Sequence, residues 1–125
     1  MKLPDTTVAV DHLRGLAEAT ALPDGLAVSE EQIVASEVVR FELLAGVREP
    51  ELAALEAFFS ALAWTPVDEP VARVAGELAR RYRRRYSGID DVDYLIAATA
   101  LVFDAELLTT NVRHFPMFPD LRPPY

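Results

Sequence analysis

The chain has 125 residues, a formal net charge of −8 and no cysteine. Its length suits a single domain with its own core, and the lack of cysteine excludes a disulfide framework, a thiolate metal site and a cysteine nucleophile. Twenty acidic side chains against twelve basic ones oppose the binding of nucleic acid through the overall field of the protein, so any such contact needs a local basic patch.

Short β-like runs alternate with helical segments along the chain, and the prolines fall at the borders between them. In chain order we expect a strand at Leu3–Asp5, a helix at Thr6–Arg14, a strand at Gln32–Ser36, a helix at Glu37–Ala45, a helix at Pro50–Ala63, a strand at Trp64–Val67, helices at Glu69–Tyr86 and Asp91–Phe103, a strand at Glu106–Thr109 and an irregular end from Phe115 to Tyr125. This alternation predicts an α/β fold in which helices cover both faces of a parallel sheet.

The chain carries no segment that indicates export or membrane insertion. The first residues lack the apolar core of a signal peptide, and the longest apolar run, Leu95–Phe103, is too short to cross a bilayer. We therefore expect a cytoplasmic protein.

Asp5 follows the first predicted strand, at the edge of the sheet where folds of this kind bind their ligands. The polar residues Thr109 and Asn111 follow the last strand at the same edge. Aspartate before a helix is also a common N-cap. For Asp5 alone, a structural cap and a role in a site both stay open.

Glu42 and Asp93 lie among apolar helical neighbours and have no cation within helical reach. Glu42 either reaches water from the edge of an apolar stripe or points into a polar site. Capping of the last helix accounts for Asp90 or Asp91, but it accounts less well for Asp93. If Asp5, Glu42 and Asp93 converge, their repulsion needs a counter-ion, and an oxygen-only ligand set favours Mg²⁺ or Mn²⁺. Such sites commonly hydrolyse phosphodiesters.

A basic patch interrupts the acidic composition at Ala79–Tyr86, where arginines alternate with Tyr82 and Tyr86. Its cations could contact nucleic acid, or they could only offset the dipole at a helix end. The arginines of this patch are Arg80, Arg81, Arg83, Arg84 and Arg85.

Four segments together resemble the PIN-domain ribonucleases, and within them the VapC-type toxins of type II toxin–antitoxin pairs. They are Asp5–Gly15, Ser36–Gly46, Asp93–Leu101 and Leu107–Phe115, in the order and at the separations of that family. The resemblance covers nearly the whole chain. It implies that residues 1–125 form one PIN-like nuclease domain, a three-layer α/β/α sandwich around a short parallel sheet.

The resemblance also implies a site. The three acids of the family fall on Asp5, Glu42 and Asp93, and supporting hydroxyls fall on Thr7 and Thr109. The fourth acidic position of the family falls on Asn111, whose amide can still ligate a metal through its carbonyl oxygen; Asp90 could supply the missing charge, although capping is its simpler role. A second departure is Pro4, which replaces an apolar strand residue and removes a hydrogen-bond donor beside Asp5.

By this resemblance the protein is a Mg²⁺- or Mn²⁺-dependent endoribonuclease acting as a toxin. Asp5, Glu42, Asp93 and Asn111 form its catalytic site, metal-activated water attacks the phosphorus, and the product carries a 5′-phosphate. The implied partners are an RNA substrate, a cognate antitoxin protein and a second copy of the chain in a homodimer. The alternative, which Asn111 supports, is a degenerate PIN-like domain that binds RNA or a protein partner without cleaving.

Overall fold

The computed structural model describes residues 1–15 and 32–125, and strands and helices alternate along them. The strands are β1 (Lys2–Pro4), β2 (Val34–Ser36), β3 (Ala63–Thr65) and β4 (Glu106–Leu108). The helices are α1 (Thr6–Leu13), α2 (Glu37–Gly46), α3 (Leu52–Ser60), α4 (Glu69–Tyr82) and α5 (Asp91–Phe103), with short 3₁₀ turns at Glu49–Glu51 and Val112–His114. No helix in these residues is long and apolar enough to span a membrane.

Several elements are shorter than the sequence pattern predicts. The helix expected at Pro50–Ala63 is Leu52–Ser60, and α1, β2 and β4 are each one or two residues shorter than expected. The helix expected to reach Tyr86 ends at Tyr82, whose carbonyl accepts hydrogen bonds from the Arg85 and Tyr86 N–H groups and closes a turn. The strand expected at Trp64–Val67 is Ala63–Thr65, since Pro66 has no N–H with which to continue the ladder. These shifts leave the order of the elements unchanged.

The strands run parallel, in the spatial order β3–β2–β1–β4. Leu3 pairs with Leu107 across β1 and β4, and Ala35 pairs with Trp64 across β2 and β3. A single parallel bridge between Lys2 and Ile33 joins the two pairs. The two neighbours of β1 in the sheet are β2 on one side and β4 on the other. The carboxyl ends of β1 and β4 therefore form a switch point. Parallel sheets commonly bind ligands at such a point.

Pro4 limits the pairing on one side of β1 only. The Lys2 N–H donates to the Gln32 carbonyl (2.8 Å), while the Asp5 N–H donates in the opposite direction to the Leu108 carbonyl (2.9 Å). Because alternate residues of a strand face alternate neighbours, the donor that proline lacks would have faced β2. Asp5 therefore keeps its backbone anchor on β4.

Helix α5 forms the centre of the core, which explains why it is apolar nearly all round. Its residues from Ile96 to Ala100 are all buried, and Tyr94 is 2% exposed. The helix packs along α4 and contacts α2. Full burial of one side chain of the size of isoleucine stabilises the fold by about 1.5–3 kcal/mol, and a charge at one of these buried positions would destabilise it.

The C-terminal segment from Phe115 to Tyr125 contains no helix or strand, as predicted, but it is packed. Phe115 is 1% exposed, and Phe118 and Leu121 lie against the core. The Tyr125 hydroxyl donates to the Asp11 carboxylate on α1. This segment thereby holds the chain that follows β4 in place.

Candidate active site

Asp5 caps α1 and also contacts the loop after β4, so its role as an N-cap does not exclude the predicted role in a site. Its Oδ1 accepts the N–H groups of Thr7 (2.9 Å) and Val8 (3.2 Å) and caps α1. The Thr7 hydroxyl also donates to Oδ1 (2.6 Å), and the Thr109 hydroxyl donates to Oδ2. Asp5 is 3% exposed and has no ion-pair partner in the described part of the chain. Because a carboxylate offers about four lone-pair sites, Oδ2 keeps one for a ligand.

Thr7 and Thr109 connect α1 to the loop after β4. The Thr7 hydroxyl accepts the Thr110 N–H (3.2 Å), and the Thr109 hydroxyl accepts the Asn111 N–H (2.9 Å). Each hydroxyl thus donates to Asp5 and accepts from the backbone of the loop. Both residues therefore lie where the resemblance places them, one on either side of the Asp5 carboxylate.

Glu42 contacts Thr6, the residue that follows Asp5. It lies on α2 beside the buried Leu43, and its Oε1 accepts the Thr6 hydroxyl. The side chain is half-buried. The contact with Thr6 brings Glu42 next to Asp5, and its role in a polar site stays a prediction.

Asp93 has one engaged oxygen and one without a partner. Its Oδ2 accepts the Asp90 N–H (3.1 Å), as in a capping box, and lies 2.9 Å from His114 Nδ1. Among residues 1–15 and 32–125, nothing donates to Oδ1. Burial raises the pKa of the Asp93 carboxyl above its ordinary value, although the Asp90 N–H and His114 oppose the rise. Asp90 itself is exposed at the helix N-cap.

Asn111 and His114 lie between Thr109 and Asp93, and His114 has no role in the predicted site. The Asn111 Nδ2 lies 2.9 Å from His114 Nδ1, the same nitrogen that contacts Asp93. Hydrogen bonds join Asp5 to Thr109 and Thr109 to the Asn111 backbone, and the Asn111 side chain contacts His114, which contacts Asp93. Glu42 binds Thr6, the residue next to Asp5. We call this set of residues the polar network. Only the short spacing between Asn111 and His114, within one 3₁₀ turn, could have indicated their contact from the sequence.

The three acids share this network, but they do not form a closed metal cluster. In the described ranges, no three histidine, aspartate or glutamate side chains are close enough together to hold one ion. The Glu42 carboxylate is occupied by Thr6, and one oxygen of Asp93 is held by its own helix. A shared ion would require these side chains to move closer together.

The arginine patch lies at the end of α4, and no hydrogen bond among the described residues links it to this network. Arg80, Arg83 and Arg84 line a shallow groove whose floor is formed by Gly76 and Ala79. Arg83 pairs with Asp91 at 2.5 Å and lies 5.8 Å from the centre of the Tyr94 ring, so it ties α4 to α5. The rings of Tyr82 and Tyr86 are 5.8 Å apart and tilted by 42°.

The chain matches a known protein family along most of its length. The model of the PIN domain family matches residues 2–118. The chain therefore belongs to the PIN-domain family. It is 72% identical to Ribonuclease VapC19 of Mycobacterium tuberculosis over 125 residues, the full length of both chains. It is 41% identical to Ribonuclease VapC10 of the same organism, with all of this chain aligned to 93% of that protein.

Solved structures confirm the predicted three-layer α/β/α PIN-like fold. A toxin–antitoxin complex from Klebsiella pneumoniae matches with a TM-score of 0.81 at 23% identity, covering 100% of this chain and 98% of that one. VapBC2 from Rickettsia felis, bound to a DNA fragment from its promoter, matches with a TM-score of 0.83 at 25% identity, covering 96% and 94%.

Proposed function

We propose that this chain is a metal-dependent endoribonuclease that acts as the toxin of a toxin–antitoxin pair. Membership of the PIN-domain family and 72% identity to Ribonuclease VapC19 along the full length support the ribonuclease activity. The structural observation that carries the proposal is the polar network that joins Asp5, Glu42 and Asp93 at the switch point of the sheet.

The chemistry of these residues fits Mg²⁺ or Mn²⁺. All three acids are hard oxygen ligands, and Asp5 is buried without a cation to balance it among the described residues. Oδ2 of Asp5 and Oδ1 of Asp93 retain acceptor capacity, and Glu42 would complete the set after leaving Thr6. Asn111 would add an amide oxygen. When bound, the ion would promote attack by water and offset the charge that grows on the phosphate and the leaving oxygen.

In the proposed reaction, the oxygen of water attacks phosphorus and the bond to the 3′-oxygen breaks. Water gives up a proton, the 3′-oxygen gains one, and the phosphate stays on the 5′ side. Thr7 and Thr109 hold the Asp5 carboxylate in one orientation through this change, since each donates to a different oxygen. Preorganised groups need no rearrangement during the reaction, which lowers its barrier.

The arginine patch is the proposed RNA contact, because the acidic site repels phosphates by itself. Four of its five arginines, Arg80, Arg81, Arg84 and Arg85, are exposed without an ion pair in the described part of the chain, whereas Arg83 is engaged with Asp91. Tyr86 is 39% exposed and could stack on a base. Contacts from these arginines to the phosphate backbone of RNA would supply affinity without sequence preference.

The proposed partners are a cognate antitoxin and a second copy of the chain in a homodimer. The structural matches include complexes described as toxin–antitoxin and VapBC assemblies, which supports the antitoxin. The homodimer and the cytoplasmic location stay predictions from the resemblance.

The test of the proposed reaction is cleavage of total RNA in the presence of Mg²⁺ or Mn²⁺ by wild type, Asp93→Asn and Asp104→Asn. Asp104 ends α5 about 16 Å from Asp93, and asparagine suits its left-handed conformation (φ 51°), so this variant controls for loss of one negative charge. We expect wild type and Asp104→Asn to cleave and Asp93→Asn to be inactive. Equal cleavage by all three proteins, or by none, would contradict the proposal.

A second candidate function is binding of RNA without cleavage, as in a degenerate PIN domain. Asn111 in the fourth acidic position and the lack of a closed metal cluster in residues 1–15 and 32–125 favour it. Thermal unfolding with and without Mn²⁺ separates the two candidates, since a ligand that binds the folded state raises Tm. The degenerate domain predicts no rise in Tm, while the nuclease predicts a rise that Asp93→Asn reduces.

A further inference from the structure

His114 contacts two predicted site residues at once. Its Nδ1 lies 2.9 Å from Asp93 Oδ2 and 2.9 Å from Asn111 Nδ2. The His114 side chain is 33% exposed and that of Asp93 is 16% exposed, so the contact lies at the mouth of the site. These two contacts give His114 a place in the network that neither its charge nor its position in the sequence predicted.

The chemistry of the contact determines which nitrogen of His114 carries a hydrogen. An ionised carboxylate only accepts hydrogen bonds, so Nδ1 must be protonated to bind Asp93 Oδ2. A protonated Nδ1 has no lone pair with which to accept a hydrogen bond from the Asn111 amide group. Asn111 can bind this N–H only as an acceptor, through its Oδ1, after the amide turns by half a turn. Because the bond to the carboxylate is charge-assisted, it is the stronger of the two and selects the Nδ1–H form.

The position of His114 is fixed by the backbone around it. Its N–H donates to the Asn111 carbonyl (3.0 Å), and the next residue, Phe115, is 1% exposed in the core. The imidazole is thus presented from an anchored turn. Asp93 Oδ2 is consequently held from two sides, by the Asp90 N–H and by His114, while Oδ1 stays available.

A histidine suits this place better than a stronger cation would. An arginine or lysine would pair permanently with Asp93 and cancel the negative charge that a divalent ion needs. A neutral imidazole donates one hydrogen bond and leaves that charge in place. Partners of this kind, which orient a ligating carboxylate without touching the metal, typically change metal affinity about 10–100-fold when they are removed.

We propose that His114 is a positioning residue that orients the Asp93 carboxylate through its Nδ1–H, so that Oδ1 of Asp93 faces the divalent ion and the substrate. The inference rests on the proposed function for its purpose. The hydrogen bond itself is a property of the metal-free protein and can be measured independently.

The first measurement is the tautomer of His114 in the metal-free protein, from ¹⁵N NMR of the imidazole with His114→Ala for assignment. We expect the hydrogen of the neutral ring on Nδ1. A neutral ring protonated on Nε2 would overturn the inference, whether or not the protein binds metal or cleaves RNA.

The second measurement compares Mn²⁺ affinity, by electron paramagnetic resonance, in His114→Ala, His114→Asn and His114→Gln. The asparagine amide places an N–H on Cγ, where histidine carries Nδ1, whereas the glutamine amide places it one bond further out. We expect about 10-fold weaker binding in His114→Ala and His114→Gln, and recovery to near the wild-type affinity in His114→Asn. Circular dichroism checks that each variant is folded.

The outcomes separate this inference from the proposed function. Wild-type affinity for Mn²⁺ in His114→Ala would overturn the positioning role and leave the nuclease intact. Tight Mn²⁺ binding by a wild type that never cleaves RNA would overturn the nuclease, while the order of the three variants would still decide the role of His114. A wild type that binds no Mn²⁺ would overturn both.

Discussion

The polar network at the switch point and the arginine patch at the end of α4 are built in opposite ways. In the network, Asp5 and Thr109 are buried, at 3% and 0% exposure, and each of their side-chain oxygens has a hydrogen-bond partner. In the patch, most arginines project into solvent without an ion pair among the described residues, and only Arg83 is tied down. The comparison teaches that the proposed chemistry rests on a rigid, pre-formed set of contacts, whereas the proposed RNA contact rests on independent, adaptable charges.

The strongest test of the rigid region is Thr109→Val, which removes one hydroxyl and keeps the shape of the side chain. Asp5 Oδ2 and the Asn111 N–H both lose a buried partner. We expect a loss of about 1–3 kcal/mol in the free energy of unfolding and a fall in RNA cleavage of at least about 10-fold, equivalent to about 1.4 kcal/mol in the barrier. Urea unfolding and initial cleavage rates measure the two effects.

Thr99→Val is the matched control for that variant. Thr99 is as fully buried as Thr109, but its hydroxyl donates only to the Leu95 carbonyl of its own helix (2.8 Å). We expect little change in cleavage, because the site is untouched. If both valine variants lose activity equally, the network has no special role in the reaction.

The adaptable region should respond in proportion to the charge removed. Changing Arg84 and Arg85 to alanine together should weaken RNA binding several-fold and lower the slope of log affinity against log salt by about 0.7 for each lost phosphate contact on a single strand. Mn²⁺ affinity should not change, because the patch is separate from the acids. Fluorescence anisotropy at several salt concentrations measures the slope.

A double variant at Arg48 and Arg73 controls for the same change in net charge. These arginines are 82% and 77% exposed and pair with Glu51 and Glu69. Changing both to alanine should leave the slope of log affinity against log salt nearly unchanged. A slope that falls equally in both double variants would mean that RNA responds only to the overall charge of the protein.

A smaller effect is expected for Asp93→Asn, which measures how much the ionised Asp93 carboxylate destabilises the metal-free fold. Since the pKa of its carboxyl is raised in the folded protein, ionised Asp93 destabilises the metal-free fold. That cost is absent below the ordinary pKa of an aspartate and develops as pH rises through the raised value. Asp93→Asn should therefore raise Tm in EDTA at pH 7 and have little effect at the acidic end of this window. A Tm difference that does not vary with pH would show that the carboxyl titrates normally.

The smallest effect is expected for Arg83→Ala, the one member of the patch that has a structural partner. Its ion pair with Asp91 is exposed, with side chains 62% and 81% accessible, so its loss should cost less than about 1 kcal/mol of stability. RNA affinity should fall less than in the variant at Arg84 and Arg85. An equal or larger fall in RNA affinity would mean that Arg83 contacts RNA in spite of its ion pair with Asp91.

Much of the fold could be predicted from the sequence, because periodicity and composition are local properties of the chain. Alternating strands and helices, the apolar character of α5 and the placement of Asp5, Thr109 and Asn111 at strand ends follow from neighbouring residues alone. The exact ends of elements follow less well, since the turn at Arg83–Arg85 and the early end of β3 depend on single hydrogen bonds and on Pro66.

The sequence by itself determined which carboxylates lack a local partner, and the tertiary structure decided what each one faces. Capping of α1 by Asp5 leaves its second carboxylate oxygen for a contact with Thr109, so the cap does not exclude the proposed role in a site. Glu42 meets Thr6 across 36 positions of sequence, and Asp93 meets His114 across 21. Such contacts depend on the crossing of strands and helices, so no local pattern encodes them.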